Sequence, residues 1–149
     1  LLEKHFENDN RIKFLVTAGQ DAKYNIYDHT YRMSHGAQFK GGDSIIGPLG
    51  PITRGDNKKR GWASQVDQQY KTSLYGHFHR LIILQHIIVN GSLVGRDEFC
   101  HNNNYPYEPP YQALWITNPN RGITITAPVH AAGIIKSQKD TSWVTWPKS

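Results

Sequence analysis

The chain has 149 residues, 38% hydrophobic and 19% charged, a length and composition that suit one domain around one core and exclude a largely disordered chain. No apolar run approaches the roughly 20 residues of a membrane-spanning helix, so a membrane protein of that kind is excluded. Seventeen Lys and Arg against 12 Asp and Glu give a formal charge of +5, which favours an anionic partner such as nucleic acid. In chain order, "LLEKHFEND" places Leu2 and Phe6 at helical spacing, and "RIKFLVTA" then shifts to a strand-like run ending at Gly19. Residues 23–34, "KYNIYDHTYRMS", alternate Tyr and Ile with polar side chains and predict a strand with a bulge or tight turn near Asp28. The following "GAQFKGGDSIIGPLGPITRGD" (36–56) is rich in glycine and proline without either periodicity, and predicts a long loop.

Asp56 or Asn57 is placed to cap a helix over 57–70, with Trp62, Val66 and Tyr70 on one face packing on a sheet. Its first turn holds "NKKRG" (57–61), the chain's one concentrated basic run, more often a solvated helix start than a binding patch for an anion. "TSLYGHFH", "RLIIL" and "HIIVNG" predict short strands. After the Tyr/Pro-rich "NNNYPYEPPY" comes a hairpin, "QALWITNPNRGITITAP", turning at Asn118–Gly122. Periodicity alone gives an α+β class with mostly strands and one or two helices, in a single domain over residues 1–149. The lone Cys100 forms no internal disulfide and fits a reducing compartment, and "LLEKHFENDN" lacks a signal-peptide layout. A cytoplasmic location is the simplest expectation.

The chemistry concentrates in "YGHFH" (75–79). On a strand, His77 and His79 would share one face while Phe78 turns to the core, and two imidazoles side by side are a natural pair of metal ligands. Gly76 before them would let the backbone turn or be approached closely. A third histidine, His35, stands where a predicted strand meets the Gly-rich loop, a position from which functional side chains project. "IIVNGSL" (87–93) is another strand running into a Gly-containing turn.

In that order, "MSHG", "YGHFH" and "VNGSL" resemble the C-terminal half of the calcineurin-like metallophosphoesterases, over residues 24 to 98. The continuation "LVGRDEF" is like phage and prophage members of that group. The resemblance implies a β-sandwich flanked by helices, with two divalent metal ions at the strand ends, Mn²⁺ foremost and Zn²⁺ or Fe as alternatives. It implies that His35 and His77 ligate one metal and His79 the other, as the catalytic set of a phosphoester hydrolase. The family's earlier blocks, Asp-x-His, Gly-Asp and Gly-Asn-His, are absent before His35. "GQD" (19–21) and "YDHT" (27–30) have neither their order nor their separation. Since the chain also begins without Met, it is expected to be the C-terminal part of the enzyme and inactive by itself.

Around that site the backbone amides of loop 36–56, with Arg54, Lys58 and Lys59, are candidates to gather substrate phosphates, and Asn90 to accept a ligating histidine's second N–H or to touch substrate. A competing reading is a non-catalytic basic module for nucleic acid or a virion partner, with a degenerate metal site. A structural zinc on three histidines is disfavoured, because closed zinc sites take four ligands and usually cysteines. The enzyme reading requires the ring of His35 to meet those of His77 and His79.

Overall fold

A computed structural model describes residues 1–40, 47–95, 98–102 and 108–131, with the backbone alone for 99 and 100. The remainder of the Gly-rich segment, part of "LVGRDEF" and of the Tyr/Pro connection, the Cys100 side chain and the terminal "SQKDTSWVTWPKS" lie outside the described residues. After α1 (Leu2–His5), a single turn, residues 12–17 run without strand pairing and leave Leu15 and Val16 74% and 80% exposed. The strand expected at "RIKFLVTA" is therefore corrected. Its apolar run pairs with no strand among the described residues.

β1 (Asp21–Ile26) and β2 (His29–Ser34) form an antiparallel hairpin in which Tyr24 faces Tyr31, with stacked rings 5.2 Å apart. The chain reverses at Tyr27, whose φ is +52°, and Asp28, so the one strand expected over 23–34, with a bulge or tight turn near Asp28, is two strands joined by a turn. β2 continues in parallel with β3 (Thr72–Tyr75), and β3 in parallel with β5 (Ile87–Val89). β4 (Ile82–Ile83) closes the edge antiparallel to β5, so the five strands run in the order β1-β2-β3-β5-β4. Every residue of β3 and β5 is buried, as expected where a parallel strand is covered on both faces.

One cover is α2 (Leu49–Gln65), and it corrects two expectations. The helix begins at Leu49, not at 57, and ends at Gln65, not at 70. Pro48 and Pro51 fit at its start because first-turn N–H groups have no intrahelical acceptor to lose. Its buried face carries Ile52, Asp56 and Ala63, whereas Trp62 and Val66 stay 55% and 43% exposed. Asp56 is thus no cap. It is 2% exposed in mid-helix and accepts hydrogen bonds from Arg60 Nε at 2.6 Å, from Tyr75 Oη at 2.8 Å and from Ser73 Oγ. Arg60 in turn donates to the backbone oxygens of Tyr70 (3.1 Å) and His86 (3.0 Å). A helix docked through a polar stripe is invisible to a search for apolar periodicity.

These contacts also fix the direction of α2. Ile52 packs with Tyr75 and Val89, the last residues of β3 and β5, while Arg60 reaches the segments before β3 and β5. The helix therefore runs against the parallel strands, and its amino end lies at their carboxyl edge. After α3 (Glu98–Asn102), β6 (Tyr111–Asn118) and β7 (Gly122–His130) form the predicted hairpin over the opposite face. Asn118 Oδ1 accepts the backbone N–H groups of Asn120 and Arg121 at 2.9 and 3.1 Å, and Gly122 takes φ +73°, which closes the turn. Tyr31, Leu74 and Ile88 bury against Ala113, Trp115 and Ile123 from the hairpin. The class is α+β, as periodicity indicates: a mixed five-stranded sheet, a two-stranded sheet and few helices.

Candidate metal centre

Register brings the three sequence blocks to one edge. Ser34 pairs with Tyr75, and Tyr75 with Val89, so the strands end together and His35, Gly76 and Asn90 are the next residues out. Two backbone bonds extend the alignment: Gly76 N–H donates to His35 O at 3.1 Å, and Asn90 N–H to Tyr75 O at 2.7 Å. The carboxyl edge of parallel strands is where open α/β sheets place their ligands.

The local geometry of the histidine pair departs from the expectation of a strand face. β3 stops at Tyr75, and His77 and His79 take φ +67° and +54°. Alternation along a strand therefore does not put the two imidazoles on one face, and that expectation is corrected. Phe78 N–H donates to Gly76 O at 2.8 Å, closing a three-residue turn with His77 at its centre. A γ-turn with positive φ is rare and strained, and a left-handed residue with a Cβ costs about 1–2 kcal/mol. Phe78, which packs against the Ile52–Tyr75–Val89 cluster, holds this turn in place. Strain of this kind concentrates where side chains must be aimed.

The glycines divide differently from expectation as well. A Cβ on Gly76 would meet His35 O at 3.7 Å and His35 Nδ1 at 3.9 Å, ordinary contacts, so space alone does not demand glycine there. Gly36 is the constrained one. Its φ is +100°, and a Cβ would lie 3.4 Å from the Phe78 ring and 3.6 Å from His77 Cβ. The glycine after His35 is what lets this segment turn back against residues 76–78.

As a result His35 Nε2 lies 3.2 Å from His77 Nδ1, with ring centroids 5.0 Å apart and planes at 74°. His35 is exposed and His77 half-buried. Burial, and then repulsion from His35 and His79, pushes the His77 imidazole below its ordinary value, so its neutral, ligating form prevails at neutral pH. Two imidazole nitrogens about 2.1 Å from a shared cation stand about 3.0 Å apart at a right angle and about 3.4 Å apart at a tetrahedral one. The observed separation falls between. It suits one edge of a coordination shell as well as it suits a hydrogen bond between the rings.

Among the described residues no three His, Cys, Asp or Glu side chains gather closely enough to hold a metal, so the meeting of rings that the enzyme reading requires is found for His35 with His77 and not for His79. Arg54 is exposed on α2, in the half of the helix that lies toward this edge. Lys59 pairs with Asp21 at 3.2 Å. Asn90 is engaged with the hairpin: Nδ2 donates to Gln112 Oε1 at 2.6 Å, and Oδ1 accepts Ala113 N–H at 2.8 Å. Beside His35 a cleft of about 480 Å³ opens between sheet and hairpin, walled by Met33, Leu74, Ile88, Ala113 and Trp115. Sequence reasoning missed both this cleft and the buried Asp56–Arg60 pair; the i,i+4 spacing of that pair was the available signal. Compared with family models, curated proteins and solved structures, the chain matches none.

Proposed function

We propose that this chain carries the C-terminal ligands of a two-metal phosphoesterase, with His35 and His77 holding one divalent cation and His79 the second. Mn²⁺ is the first choice, with Zn²⁺ or Fe as alternatives, since imidazole serves all three. The observation that carries the reading is the 3.2 Å approach of two imidazole nitrogens from separate segments, one of them aimed by a strained turn. Held by these residues, two divalent cations would supply a nucleophile at neutral pH and would neutralise charge on the phosphoryl oxygens.

The chain's own residues do the rest. His77, kept neutral by burial and by its neighbours, offers Nδ1 without first losing a proton. The amino end of α2 and the Arg54 side chain bring positive potential to the edge where a phosphate would sit. The apolar cleft beside His35 takes the organic part of the ester, and its Trp115 wall suits a nucleobase. The earlier blocks that the family resemblance calls for, the one with the bridging aspartate among them, do not precede His35 in this sequence. Activity is proposed for a protein that carries them too, and the chain alone is expected to be inactive.

Calorimetric titration with Mn²⁺ and Zn²⁺ tests the reading. One cation should bind the wild-type chain, His35→Ala and His77→Ala should each abolish most of that binding, and His5→Ala should leave it intact. Binding that survives both substitutions rejects the centre. If the chain instead takes up an oligonucleotide and no cation, the non-catalytic basic module replaces the enzyme.

A further inference from the structure

The opposite edge of the sheet holds a second recess, independent of the histidine pair. At the amino ends of the parallel strands, a cavity of about 390 Å³ is lined by Asp28, His29, Arg60, Lys71, His86 and the turn residues 119–122. The cationic and imidazole side chains come from five separate segments: the start of β2, α2, the residue before β3, the residue before β5 and the β6–β7 turn. Gly122 admits His29 there, because a Cβ at that position would stand 2.5 Å from His29 Nδ1.

The charges of this recess are unevenly balanced. Arg60 has the Asp56 carboxylate as its partner, directed toward the sheet. Lys71 donates to a backbone oxygen, that of Asp28, at 2.9 Å. Among the described residues no carboxylate forms an ion pair with Lys71 or Arg121, and Asp28 is the one acidic side chain in the lining. His29, bound through Nε2 to Thr72 Oγ1 at 2.8 Å, is held below its ordinary pKa first by burial and then by the nearby Lys71 and His86.

We infer that this recess binds a phosphate group, with Lys71 and Arg121 supplying the charge and His29 and His86 lining its walls. A phosphate presents several strong acceptor oxygens and takes charge-assisted hydrogen bonds from such donors. The group can belong to free phosphate, to a nucleotide or to a nucleic-acid backbone, and the chemistry is the same. The site does not rest on the phosphoesterase reading and needs no cation.

The test is a nuclear magnetic resonance titration of the full chain with inorganic phosphate, with EDTA present and at fixed pH and ionic strength. Saturable shifts should appear at His29, His86 and the amides of Lys71, Arg121 and Gly122, with the His35 and His77 rings unmoved. Arg121 is an exposed turn side chain, so Arg121→Gln should preserve the rest of the spectrum and weaken binding about tenfold. Lys71→Gln should do likewise, with its spectrum showing whether loss of the bond to Asp28 disturbs the turn. A nucleoside monophosphate and a short single-stranded oligonucleotide, titrated separately, identify the source by which binds tightest. Absence of saturable shifts, an equal response to chloride, or binding undiminished in Arg121→Gln overturns the inference.

Discussion

Replacing Asp56 with alanine separates two ways of building α2. If the helix began at 57 with Asp56 as an exposed cap, the substitution would cost about 1 kcal/mol. In the structure the carboxylate is 2% exposed and accepts from Arg60, Ser73 and Tyr75. Removing that acceptor strands the buried Ser73 and Tyr75 hydroxyls and leaves the part-exposed Arg60 without its counter-charge, which together cost about 3–5 kcal/mol. Asp56→Asn keeps an acceptor and loses the charge, and should cost about 2 kcal/mol. Urea unfolding followed by circular dichroism measures both. For a chain of this length Asp56→Ala should also lower the thermal midpoint by about 6–20 °C. A loss near 1 kcal/mol would refute the buried placement, and with it the direction of α2 that brings its amino end to the histidine edge. Because Tyr75 directly precedes the His77 turn, cation affinity should fall along with stability.

Gly61 lies exposed inside α2, and a methyl group added there would meet nothing within 4 Å, so Gly61→Ala should stabilise by about 1 kcal/mol in the same denaturation assay. Gly91→Ala should do the opposite, by about 2 kcal/mol or more, since its Cβ would sit 2.6 Å from Tyr111 O and force the hairpin away. Asn90→Ala should cost about 1–3 kcal/mol through loss of its bonds to Gln112 and Ala113; unchanged stability would return Asn90 to a role on substrate. His29 and His77 are both held below their ordinary value of 6.5. Between that value and their lowered ones the unfolded chain binds more protons, so stability should fall as pH drops below about 6.5. The slope of unfolding free energy against pH should flatten in His29→Gln/His77→Gln, and a chain that gains stability on acidification would contradict both assignments.

Where apolar alternation and turn chemistry agree, the sequence is legible. The hairpin over 111–130 and its Asn118–Gly122 turn follow from period-two patterning and residues that accept positive φ, and the strands around Leu74 and Ile88, buried on both faces, follow from short apolar runs. The start of α2 is hidden because Gly47, Pro48, Gly50 and Pro51 read as loop, although a first helical turn tolerates proline. Its docking face is hidden because Asp56 and Arg60 bind the sheet through hydrogen bonds, which leave no hydrophobic periodicity. "RIKFLVTA" has strand composition, but composition does not supply a partner. At the candidate centre, the order of the blocks points to His35, His77 and Asn90, and strand register explains their convergence. The turn that aims His77 is not legible, since a strand pattern ending at glycine does not announce that two histidines beyond it adopt left-handed backbone.

Whether His35 and His77 form one edge of a metal shell can be read from the imidazole ¹⁵N resonances of the chain during Zn²⁺ titration. His35 Nε2 and His77 Nδ1, the two nitrogens 3.2 Å apart, should shift together to values typical of metal-bound nitrogen at one equivalent. Zn²⁺ that leaves both unchanged, or that binds through other histidines, contradicts the proposed centre.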